Sequence, residues 1–148
     1  MAATKQMIKK ITHQNQTYAI IILHDFNEEG IHFCTPDDFS QQLAFINYSK
    51  NHQIPAHVHN PVKRNVSYTL ETLVVRKGKI RIDFYTQKKK YFESHIFVTG
   101  DVILLKSGGH GITILEKTEL IEVKQGPYAG DQDKTRFKSI NPKSLKLK

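Results

Sequence analysis

His57 and His59 are separated by Val58. On a β-strand successive side chains alternate between faces, so the two imidazoles share one face, about 7 Å apart along the chain, close enough to hold one metal ion together. Glu71 opens a run in which it shares a face with Leu73 and Val75. That parity puts a charged group at the head of an apolar, inward row, and burying a carboxylate without a cation costs several kcal/mol. His110 stands in the same relation to Ile112 and Ile114. Three strands therefore aim four donors inward. Three imidazoles and one carboxylate suit a single borderline divalent transition metal, Fe, Mn, Ni or Zn, and not Ca or Mg, which prefer shells of oxygen.

An open position on such a metal would polarise a carbonyl or activate water or dioxygen for a small-molecule substrate. Candidates for an acid or base beside it are Glu122, Lys124, Tyr128 and Arg81. Glu122 and Lys124 alternate with Ile121 and Val123. Lys124 either looks into the barrel mouth, where it would bind an anion or move a proton, or makes a surface ion pair. Gly108, Gly109 and Gly111 read as a tight turn presenting His110 rather than a phosphate loop, because no helix and no Gly-Lys-Ser/Thr follows. The lone Cys34, between Phe33 and Thr35, reads as a small core residue. His13, His24, His32, His52 and His95 show no ligand-like arrangement and read as structural or exposed.

The elements that must position these residues are short and β-rich. Between Ile8 and Leu120 no apolar i, i+3, i+4 pattern lasts long enough for a helix. Strands are predicted at Tyr18–Leu23, Ile31–Cys34, Leu43–Tyr48, Ile54–His59, Leu70–Val75, Lys79–Tyr85, Tyr91–Val98, Val102–Leu105, Gly111–Leu115 and Leu120–Lys124. Glu71 to Phe84 reads as a hairpin turning at Gly78, with Ile80, Ile82 and Phe84 on one face and Arg81, Asp83 and Tyr85 on the other. Lys88-Lys89-Lys90 reads as a charged hairpin tip, and Thr35 to Gln42 as a turn or a single helical turn. This spacing means a sandwich or a barrel.

The chemistry-bearing residues resemble those of the cupins, whose first motif is a glycine, H-x-H, a glutamate and a glycine seven positions later. His57-Val58-His59 and Glu71, seven before Gly78, follow that order, and Gly100 to His110 follows the second motif in outline. The chain departs from the pattern in the eleven residues Asn60 to Leu70 before Glu71, in Lys106 where proline is usual, in the histidine arriving one position early, and in lacking the opening glycine. The resemblance covers Leu43 to Lys124. It implies a double-stranded β-helix, or jelly-roll barrel, with His57, His59, Glu71 and His110 on the metal, and a homodimer. It also implies an enzyme acting on a small polar or anionic metabolite, by isomerisation or epimerisation of a sugar derivative or by dioxygenation. A non-catalytic metal-bearing sensor is the alternative.

Composition bounds these readings. At 148 residues the chain is sized for one domain, here residues 1–130 with a short N-terminal β extension, followed by a basic tail, 131–148. Net charge is +8, and Lys134, Arg136, Lys138, Lys143, Lys146 and Lys148 carry much of it, so the tail is expected to be frayed and solvated. With Phe137 as its one aromatic, it argues against nucleic acid as a partner. No apolar run approaches a membrane span, and residues 1–10 lack a secretory pattern. One cysteine excludes both a disulfide within the chain and a four-cysteine zinc site, so a reducing, cytoplasmic setting is expected.

Overall fold

A computed structural model describes residues 8–148; residues 1–7, on which part of the leader argument falls, lie outside the described residues. Ten strands follow in order: β1 (Ile8–His13), β2 (Gln16–Ile22), β3 (Gly30–Phe33), β4 (Ala44–Asn47), β5 (Glu71–Lys77), β6 (Lys79–Tyr85), β7 (Tyr91–Val98), β8 (Val102–Leu105), β9 (Gly109–Ile114) and β10 (Glu119–Lys124). They form three antiparallel sheets, β1-β2-β8-β5-β10, β7-β6-β9 and the pair β3-β4. The described residues contain no α-helix, only short 3-10 turns at Gly130–Asp133 and Pro142–Ser144. No helix among them is long and apolar enough to cross a membrane.

The strand patterns explain the layering. From Tyr18 onward β2 reads Tyr18-Ala19-Ile20-Ile21-Ile22, apolar at every position, and this stretch is buried on both faces. Tyr18, Ala19 and Ile21 join Leu73, Val75, Ile103 and Leu105 against Ile80, Ile82, Phe84, Phe92 and Phe97 of the three-stranded sheet. On the opposite face Ile20, Ile22 and Leu104 pack against Phe26, Cys34, Leu43 and Phe45, so the β3-β4 pair lies over the outside of the large sheet. Cys34 is thus the core residue its neighbours suggested; burial pushes its thiol up.

Three expectations are corrected. Ile54–His59 forms no strand; residues 48–70 carry no regular structure, and 49–68 are exposed throughout. β5 and β6 are not paired as a hairpin. Gly78, at φ 96°, turns the chain from one sheet into the other, and a Cβ there would lie 2.4 Å from the Lys117 carbonyl oxygen. Thr35 to Gln42 makes turns, the first of the two readings its composition allowed, with Phe39 N donating to Pro36 O at 3.2 Å. The basic tail is docked rather than frayed. Leu147 bridges Ser94 in parallel, with Ser94 N donating to Lys146 O and Lys148 N to Ser94 O, both at 2.9 Å. Backbone pairing and aromatic packing hold the tail against β7 whatever its charge, because lysine stems leave their ammonium groups in water.

Candidate functional site

Glu71 begins β5 on the inward face shared by Leu73 and Val75, as parity requires. It is paired across the sheet with Leu105 on one side and Lys124 on the other. His110, next to the start of β9, pairs with Phe84. Facing sheets bring these two inward rows together at their polar heads: His110 Nε2 lies 3.1 Å from Glu71 Oε2, with the carboxylate side chain only 15% exposed. The His110 hydrogen bond holds the Glu71 carboxyl below the usual carboxylate range against the opposing pull of burial, and Lys124 and Lys134 reinforce it. An ionised Glu71 accepts, which places the ring hydrogen on Nε2.

The turn ahead of β9 fixes His110. Gly108 has φ 71°, and any Cβ there would meet the Tyr85 carbonyl oxygen at 2.3 Å and the Tyr18 ring at 2.5 Å. The tight-turn reading of these glycines fits this packing. Glu71 and His110 open onto a cleft of about 1210 Å³. Its walls include Tyr68 and Thr69, Lys106 from the end of β8, Glu122 from β10, and Lys134, Arg136 and Phe137 from the tail. Phe137 is held edge-on to Tyr85, centroids 5.0 Å apart, and the Tyr85 hydroxyl accepts from Ile140 N at 2.8 Å.

The predicted site residues divide. Glu71 and His110 come together. His57 and His59 lie near each other, ring centroids 5.2 Å apart, in the exposed segment, where His57 Nδ1 bonds Pro55 O at 2.9 Å. Among the described residues no three His, Cys, Asp or Glu side chains are placed to hold a metal. One chain thus gathers two of the four donors, because the segment meant to carry the other two is not paired into a sheet. Glu122 lines the cleft and forms an ion pair at 3.1 Å with Lys124, which stands opposite Glu71 in the sheet. Glu122 pushes the Lys124 ammonium up.

Arg81 and Tyr128 are corrected. Arg81 lies on the far side of β6 from Ile80 and Ile82, bound to Asp83 and Thr113. Tyr128 is 87% exposed and stands outside the cleft. Sequence reasoning missed Lys134, Arg136 and Phe137 as cleft residues. Their one signal was Phe137, the single aromatic of the tail. Comparison with family models, with curated proteins and with solved structures finds no match.

Proposed function

We propose that this chain is an enzyme of cupin-like, double-stranded β-helix build that isomerises or epimerises a small anionic sugar derivative, with Glu71 and His110 as its proton-transfer pair. One observation carries the reading: an imidazole bonded to a largely buried carboxylate at 3.1 Å, at the wall of a large cleft. A carboxylate orients its histidine, fixes the tautomer and stabilises the imidazolium that forms when the ring takes a proton. With Nε2 committed to Glu71, Nδ1 is the atom left to accept a proton from a carbon next to a carbonyl. Lys106, Lys134 and Arg136 on the same walls favour a phosphate or carboxylate on the substrate. A divalent transition metal is the cofactor that the donor types fit. A single chain does not assemble its four ligands, and the proton transfer above uses only the chain's own side chains.

The test is solvent deuterium exchange into phosphorylated and nucleotide-linked keto sugars, followed by NMR. Wild type is expected to exchange a carbon-bound hydrogen, and His110→Gln to do so about a hundredfold more slowly. Equal rates in the two proteins, or no exchange into any member of the panel, would sink the proposal.

A further inference from the structure

By alternation along β9, Gly109 faces away from the inward side that His110 takes, and the ladder agrees: His110 pairs with Phe84 of the core, Gly109 with Tyr85 of the outer row. That outer row is not left to water. Asp83 and Tyr85 are each 3% exposed and Ser94 is fully buried, and it is the tail that crosses this face. Ile140 N donates to the Tyr85 hydroxyl and Lys146 N to the Tyr91 hydroxyl, both at 2.8 Å.

Gly108 and Gly109 are glycines for different reasons. Gly108 needs one for its backbone, at φ 71°. Gly109 takes no left-handed backbone, so its conformation would admit other residues. What a side chain would meet there is the tail: a Cβ on Gly109 would lie 2.9 Å from Phe137 Cζ and 3.2 Å from Phe137 Cε1, with Tyr85 Cβ at 3.3 Å. Phe137 is therefore seated on the backbone that leads directly into His110. Its ring is fixed in turn by Tyr85, edge-on at 5.0 Å, and by Lys89, whose Nζ stands 6.0 Å from the ring centroid.

A brace matters at this end of β9. Among the described residues β9 has β6 as its one strand neighbour, so the ladder holds the start of the strand from one side. The 3.1 Å bond from His110 Nε2 to Glu71 crosses between sheets, and a shift of the turn by about 1 Å would break it. Covering the β7 edge does not require Phe137, because the backbone of Lys146 and Lys148 does that.

We propose that Phe137 is a positioning residue for the proton-transfer pair: seated on Gly109 behind β9, it holds the turn that aims His110 at Glu71, and so makes the C-terminal tail part of the site. This rests on reading Glu71 and His110 as that pair, and it adds what keeps the two in register.

The first test needs no substrate. Long-range ¹H–¹⁵N spectra in alkaline buffer separate a ring with its hydrogen fixed on Nε2 from one that averages both tautomers, and comparison with His110→Gln identifies the His110 signals. Wild type is expected to give the fixed pattern. Phe137→Ala should give the averaged one while its melting curve shows a folded protein, and Phe137→Met, which refills the space with a flexible apolar chain, should restore the fixed one. Gly109→Ala should resemble Phe137→Ala, since it pushes the ring off from the other side. An averaged pattern in wild type, or a fixed one in Phe137→Ala, overturns the proposal. With the phosphorylated keto sugar that wild type exchanges fastest as the probe, Phe137→Ala should lower kcat about tenfold and leave KM unchanged, as a defect of placement does. A raised KM at unchanged kcat would make Phe137 a substrate contact and overturn the positioning role. If wild type exchanges no keto sugar, the proton-transfer reading falls, and the spectra still decide whether Phe137 holds His110 on Glu71.

Discussion

Asp83 has 4% of its side chain exposed, and its oxygens take Arg81 Nε at 2.8 Å, Arg81 Nη2 at 3.1 Å and the Ser94 hydroxyl at 2.6 Å. Tyr91 bonds Ser94 at 2.8 Å and in turn accepts Lys146 N at 2.8 Å, so the network ends in the tail backbone. Removing one member of a buried ion pair leaves the other uncompensated, at about 3–5 kcal/mol. Arg81→Ala is therefore expected to lower the urea unfolding free energy by about 3 kcal/mol while the folded fraction keeps its deuterium exchange rate. A variant as stable as wild type but catalytically dead would return Arg81 to the site. Gly108→Ala acts in the opposite compartment. With positive φ and no room for a Cβ, it should cost about 2 kcal/mol and slow exchange through displaced His110; an unchanged melting curve would contradict the packing described. Period-two alternation made Glu71 and His110 legible as inward residues, because face is a local property of a strand. Asp83 for Arg81 and Glu122 for Lys124 follow from the same alternation, each two positions away on its own strand, whereas Thr113 for Arg81 and Ser94 for Asp83 come from other strands, depend on pairing and offered no such signal.

At the scale of elements, nine of the strands fall where β-branched runs and turn residues suggested, and β1 matches the short N-terminal extension. Two misreadings share a cause. Ile54–His59 has strand composition but no neighbour within the described chain, and β5 and β6 have hairpin spacing but pair in different sheets. Hydrogen-bond partners decide both, and composition does not encode them. The tail was misjudged the other way, since charge masked a segment that pairs through its backbone. Deleting Leu145–Lys148 removes the two bonds to Ser94 and the Lys146 donor to Tyr91. At roughly 1 kcal/mol for each bond, the truncated protein should lose about 1–3 kcal/mol in thermal unfolding. It should also aggregate more readily from the bared β7 edge, visible by light scattering. Truncation without loss of either kind would mean that the tail merely rests on the sheet.

For the whole molecule, the homodimer that the cupin resemblance implies would couple folding to association. The cleft wall at Tyr68 and Thr69 lies at the root of the exposed segment 49–68. In such a dimer the unfolding equilibrium contains the protein concentration. A hundredfold dilution weakens the native state by about 2.7 kcal/mol per dimer. Spread over the unfolding entropy of two 148-residue chains, that lowers Tm by about 4 °C. Differential scanning fluorimetry across that range should show the drift in wild type. A wild-type Tm that stays fixed on dilution would mean that each chain folds alone.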